Sequence, residues 1–117
     1  MPKHKTGAFK MRIRLYAGDR MLGPGKMELL AHVDATGSLA SSAKQMGMSY
    51  MRAWKLVQEL NQDPGRPMIE VSRGGAGGGA SRLTSFGKEV LGLYQAMDRA
   101  ATEAASAYAG KLARLLE

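Results

Sequence analysis

Cysteine is absent from the 117 residues. That excludes disulfides, thiolate zinc sites and thiol nucleophiles. Histidine is scarce, and His4 and His32 are too far apart to act as a helical ligand pair, so no metal site and no cofactor are expected. No apolar run approaches the roughly 18 residues that a membrane helix requires. The basic start, Met1-Pro2-Lys3-His4-Lys5, is followed by no apolar core of the kind a secretory signal needs, so a cytoplasmic protein with no membrane partner is expected. Acidic residues are few, 10 Asp and Glu against 17 Lys and Arg, for a net charge of +7. A chain of this length suits one compact domain. Its excess of positive charge suggests a polyanionic partner, most commonly nucleic acid. The bland alternative, a basic surface that only aids solubility, is weighed by where the charges sit.

Met11, Ile13 and Leu15 alternate with Lys10, Arg12 and Arg14. That period of two predicts a half-buried strand over residues 10–16 with a cationic outer face. Gly18-Asp19 and Gly23-Pro24-Gly25 then break the chain. A helix is predicted over residues 26–36, with Met27, Leu29, Leu30 and Ala31 on its apolar side and Gly37 as its stop. Ser38 is placed to cap a second helix carrying Leu39, Ala43 and Met46, which Gly47 ends. Ser49 caps a third helix reaching about Gln62, terminated by Pro64-Gly65. Two short helices around Gly47-Met48-Ser49 make a helix-turn-helix. A strand at 68–71, a loop of Gly74, Gly75, Gly77, Gly78 and Gly79, and a return strand at 81–84 have the arrangement of a wing. A long last helix starts near Ser85, with Gly92 and Gly110 as weak points. The expected fold is α+β, a winged helix-turn-helix with an added N-terminal strand and a long C-terminal helix. Residues 1–84 would form the DNA-binding domain and 85–117 a dimerisation helix.

The third helix divides into two sides at about 100° per residue. Ala53, Trp54, Val57 and Leu60 share one side and should pack inward. Met51, Arg52, Lys55, Gln58, Glu59 and Gln62 lie opposite, and the leading turn presents Ser49, Tyr50, Met51 and Arg52. In a helix-turn-helix that leading turn enters the major groove. Arg can hold guanine O6 and N7 in a bidentate pair, while Ser49, Tyr50 and the helix N-terminus suit phosphates. In the glycine loop, backbone N–H groups can approach a phosphodiester closely, with Arg73 and Arg82 on either side. A disordered linker is the alternative for this loop. A Walker A loop is excluded because Gly25-Lys26 and Gly87-Lys88 are followed by Met27 and Glu89. The candidate DNA-binding residues are therefore Ser49, Tyr50, Met51, Arg52, Lys55, Arg73, the five loop glycines and Arg82.

Gly37-Ser38-Leu39, Ala43-Lys44, Gly47, Ser49-Tyr50, Ala53-Trp54, the glycine run 74–79 and Leu83-Thr84-Ser85-Phe86-Gly87 occur in order. Together they resemble the N-terminal DNA-binding domain of molybdate-responsive regulators, the ModE family, over residues 10–94. LysR-type regulators are looser relatives. The resemblance implies a winged helix, dimerisation and operator binding. It makes the helix of Ser49, Tyr50, Ala53 and Trp54 the recognition helix. Ala76 departs from the pattern, since the family's wing commonly has a basic residue there. The family's molybdate-binding domains are C-terminal to this region, so molybdate binding by this chain alone is not expected.

Val90, Tyr94, Met97, Ala101, Ala104 and Tyr108 recur at alternating steps of four and three. That is a short coiled-coil-like seam, and a homodimer on duplex DNA is the expected assembly. The alternative is packing of the same residues within one chain. For function, the leading expectation is a sequence-specific transcriptional regulator. A nonspecific architectural DNA- or RNA-binding protein is the alternative. An enzyme is not expected, because no nucleophile–base pair, metal cluster or complete phosphate loop is visible.

Overall fold

The computed structural model describes residues 9–72 and 80–117. The N-terminal segment leads into a hairpin of β1 (Leu15–Ala17) and β2 (Arg20–Leu22). Helices α1 (Pro24–Thr36), α2 (Leu39–Gln45) and α3 (Tyr50–Leu60) follow. Then come β3 (Ile69–Val71), β4 (Ser81–Leu83) and the long α4 (Ser85–Leu115). Both strand pairs are antiparallel, with Tyr16 opposite Met21 in the first and Glu70 opposite Arg82 in the second. The α+β winged-helix expectation, with its extra N-terminal strand and long last helix, agrees with this architecture. The glycine run 74–79 and Arg73 lie outside the described residues.

Local chemistry explains the helix ends. Gly37 closes α1 in the left-handed conformation, φ 72°, donating its N–H to the Val33 carbonyl. The Ser38 hydroxyl accepts the Ser41 N–H at 3.0 Å and so caps α2. At the far end of α2, Gly47 has φ 68° and donates to the Lys44 carbonyl, while the Met48 N–H reaches the Ala43 carbonyl. This pair of bonds is a Schellman turn, and it sets the angle at which α3 leaves α2. The Ser49 hydroxyl then accepts the Arg52 N–H at 3.1 Å. Every one of these stops and starts lies within a few residues of the atoms it satisfies, which is why the sequence reveals them.

Met27, Leu29, Leu30 and Val33 of α1 form the centre of the core, against Leu39 and Ala43 of α2 and Ala53, Val57 and Leu60 of α3. Met68, Ile69, Leu83 and Leu91 close it from the wing and from α4. A fully buried Leu, Met or Val contributes about 1.5–3 kcal/mol relative to an exposed one. Trp54 is partly buried against this core, as its place on the apolar side predicts.

Three boundaries and one surface differ from expectation. The predicted strand over 10–16 is only its last part, and residues 10–14 pair with no strand. They run extended beside α1 and α4, held by the Tyr94 hydroxyl on the Ile13 carbonyl and by an ion pair from Arg12 to Glu28 at 3.5 Å. Met11 and Leu15 are consequently 41% and 43% exposed rather than buried. The partner of β1 is β2, across a two-residue turn. Gly18, φ 63°, takes the first turn position, as a type II′ turn requires. Helix α1 begins two residues early because Pro24 has the right φ and no N–H to satisfy. Helix α3 stops at Leu60 because the Asn61 side chain is engaged elsewhere. Its oxygen accepts from the Met68 and Ile69 N–H groups, and its nitrogen donates to the Ile69 carbonyl. Helix α4 runs unbroken through Gly92 and Gly110.

Thr84 joins the wing to α4. Its N–H donates to the Met68 carbonyl, its hydroxyl donates to the Pro67 carbonyl at 2.7 Å, and the same oxygen caps the Gly87 N–H at 2.9 Å. The approach leaves no room at Gly87, where a Cβ would lie 2.2 Å from the Met68 carbonyl oxygen. Gly87→Ala should therefore force β3 and α4 apart and destabilise the fold by about 1–3 kcal/mol despite alanine's better helix propensity. Denaturant unfolding checks this. Gly92→Ala, with nothing near its Cβ, should be neutral or stabilising in the same measurement.

Candidate nucleic-acid interface

The leading turn of α3 is the most prominent exposed feature of the helix-turn-helix. Tyr50 is 50% and Met51 72% exposed. Arg52 and Lys55 are exposed as well, and among the described residues neither has an ion-pair partner. The turn is held from behind, where Ala53 and Val57 are buried and Trp54 packs on the core. Ser49 is engaged as the helix cap, so its oxygen already accepts one N–H while its own proton remains available to an acceptor. Ser49, Tyr50, Met51, Arg52 and Lys55 thus come together at one end of one helix, as the helical period predicts.

Arg82 is placed differently. Its Nε donates to Glu70 Oε1 at 2.9 Å across the β3–β4 pair, although its side chain is 81% exposed. Such an exposed pair contributes little to stability, but it holds the guanidinium along the strands. Arg73 and Gly74, Gly75, Gly77, Gly78 and Gly79 lie outside the described residues.

The seam residues of α4 divide along its length. Val90 and Tyr94 pack partly buried on the core of their own chain. Met97 and Ala101 are half-buried, while Ala104 and Tyr108 are exposed. The Tyr94 hydroxyl has a pKa raised above its usual 10.0, first by burial and then by the nearby Asp98 carboxylate. It therefore stays protonated as the donor to Ile13, and any stability from that bond is present below pH 10 and lost as pH rises beyond it.

One residue escaped sequence reasoning. Lys26 is buried, and its Nζ donates to the Met21 carbonyl at 2.8 Å and lies 3.4 Å from Glu59 Oε1. It ties the hairpin to the last turn of α3. The signal was its spacing: Lys26 precedes Leu29 and Leu30 by three and four residues, which places it on the inward side of α1.

No described helix is long and apolar enough to cross a membrane. Among the described residues no cluster of three or more His, Asp or Glu side chains could hold a metal. No family model matches the chain. Among characterised proteins, it is 35% identical over 85 residues to the DNA-binding transcriptional dual regulator ModE of Escherichia coli, a stretch covering 73% of this chain and 30% of that protein. It is 33% identical over 91 residues to the molybdenum-pterin-binding protein MopB of Rhodobacter capsulatus, covering 78% and 33%. The transcriptional regulator ModE of Haemophilus influenzae is 32% identical over 78 residues, covering 67% and 31%. The chain thus spans about a third of the length of the relatives it matches. Over nearly three-quarters of its residues, with helix-turn-helix and paired strands in winged-helix order, this chain is a homologue of the ModE transcriptional regulators.

Proposed function

We propose that this chain is the DNA-reading part of a transcriptional regulator and that it binds duplex DNA as a homodimer, with no enzymatic activity of its own. The observation that carries the reading is the exposed leading turn of α3, braced by the Schellman turn behind it and carrying two cations without ion-pair partners among the described residues. Inserted in a major groove, this turn brings Arg52 to a base edge and Lys55 to a base or phosphate. Tyr50 and Ser49 serve the flanking phosphates, and Met51 offers an apolar contact. The wing residues Arg73, Gly74, Gly75, Gly77, Gly78 and Gly79, with Arg82, belong to the same proposal as backbone contacts. Residues 1–84 act as the reader and 85–117 as the assembly helix, whose first turns share the reader's core. The setting for such a protein is the cytoplasm.

Arg52→Ala should cost about 1–3 kcal/mol on the preferred duplex and little on a scrambled one. Alanine maintains the helix, so the loss reports on contact rather than folding. Equal losses on both duplexes would favour the architectural DNA- or RNA-binding alternative.

The seam of α4 suggests how two copies meet. In an antiparallel pair with the two-fold axis between Ala101 and Ala104, Val90 of one copy faces Leu115 of the other, and Met97 faces Tyr108. The other five seam positions then meet an apolar residue, while Tyr94 faces Lys111. Leu112, Leu115 and Leu116 are 50%, 79% and 69% exposed in the single chain, an apolar surface that such a pairing would cover. Ala104→Glu places two carboxylates at the axis while leaving the single-chain fold untouched. Light scattering should then give the mass of one chain at micromolar concentration, with DNA affinity at least tenfold weaker. A parent protein that is already monomeric and binds DNA fully would remove the dimer from the proposal.

The relatives named for molybdenum are about three times longer than the matched region, and we assign no oxyanion site to this chain. Calorimetric titration with molybdate should match a sulfate control. Stoichiometric, micromolar binding of molybdate over sulfate would overturn that assignment.

A further inference from the structure

The β1–β2 hairpin is a surface that the DNA-reading proposal does not use. We propose that its open edge docks an extended, acidic segment of a partner protein.

The edge follows from the register. A two-residue turn makes Ala17 and Arg20 the hydrogen-bonded closing pair, so the next pair, Tyr16 and Met21, turns its backbone groups outward. On the β2 side the outward Met21 carbonyl is occupied by Lys26 Nζ. On the β1 side no described group takes the Tyr16 N–H or carbonyl. β1 is exposed along its whole length, with Tyr16 72% and Leu15 43% accessible. One edge of the hairpin is therefore closed by α1 and the other is available for strand addition.

Charge selects the partner. Arg14 and Arg20 flank the edge, Asp19 is the single acid between them, and Lys10 lies just upstream. Neither Arg14 nor Arg20 has an ion-pair partner among the described residues, whereas Arg12 is held by Glu28. An exposed tyrosine set among arginines is the composition enriched at protein interfaces. A second copy fits poorly, because edge-to-edge pairing would bring two cationic hairpins together. Duplex DNA fits less well than protein. Lys26 anchors the hairpin to Glu59, nine residues beyond Tyr50 and so about 13 Å along α3 from the reading turn.

The probe is a fluorescein-labelled ten-residue peptide of alternating Glu and Val, with a Lys/Val counterpart and a Glu/Val peptide interrupted by two prolines. The full chain should bind the first peptide at least tenfold tighter than either control. Two variants localise the binding. Arg20→Glu reverses a flanking charge, and Tyr16→Pro deletes the outward N–H without removing a ladder bond. Each should weaken the acidic peptide at least tenfold, with operator affinity and solution mass unchanged. Arg20→Lys should bind as the parent does. If Tyr16→Pro perturbs the fold by circular dichroism, the Arg20→Glu and Arg20→Lys pair decides.

Absent or equal binding of the Glu and Lys peptides would overturn the proposal. So would full binding of the proline-interrupted peptide, which would leave charge alone without strand pairing. Loss of operator affinity in Arg20→Glu would make the hairpin a DNA contact, and a changed mass would make it an interface between copies. The peptide measurements need no DNA, so they stand whether or not the DNA reading survives.

Discussion

The junction at the end of α1 holds three elements in place through a few short-range bonds. The Thr36 hydroxyl donates to the His32 carbonyl at 2.8 Å and accepts the Ser38 N–H at 3.1 Å, with Ser42 Oγ at the same 3.1 Å. Ser42 is fully buried and donates to the Ser38 carbonyl. Gly37 turns the chain between the helices, and its carbonyl accepts the Ser81 N–H at 2.9 Å from the first residue of β4. A buried hydroxyl without partners would cost about 1–3 kcal/mol, so this cluster favours one arrangement of α1, α2 and the wing over neighbouring ones. The angle at which α3 is presented depends on it, because α3 is reached only through α2.

Charge is distributed in the same economical way. Acidic groups in the body of the molecule meet basic ones that would otherwise be free: Glu28 holds Arg12, Glu59 holds Lys26 and Glu70 holds Arg82. Cations without such partners among the described residues include Lys44, Lys88, Arg99 and Lys111, and two further pairs lie at the surfaces proposed to bind partners. One surface is the leading turn of α3, with Arg52 and Lys55, and the other is the β1–β2 hairpin, with Arg14 and Arg20. They lie toward opposite ends of α3. The first pair suits the DNA proposed for the α3 turn, and the second suits the acidic chain proposed for the hairpin.

Helix α4 is packed on the core at its start and exposes apolar side chains toward its far end. Its first turns are bound into the core through Leu91, Val90 and Tyr94, and Tyr94 also fastens the N-terminal segment through Ile13. Further along, Tyr108, Leu112, Leu115 and Leu116 are exposed.

The sequence by itself determined the parts of this structure that are satisfied locally. Gly37, Ser38, Gly47 and Ser49 mark helix ends because the groups they satisfy are only a few residues away. The inward and outward sides of α3, and with them Arg52, Lys55 and Trp54, follow from the helical period alone. Only the tertiary structure decided the rest. The alternation in residues 10–14 reads as a strand, yet among the described residues no strand lies beside it to complete a ladder, and Tyr94, 81 positions from Ile13, holds it instead. Lys26 became an internal tie because Met21 and Glu59 happen to converge on it. Arg82 was engaged by Glu70 because the register of β3 against β4 set them opposite. Each of these outcomes depends on which distant residue arrives next to which, and no local pattern carries that information.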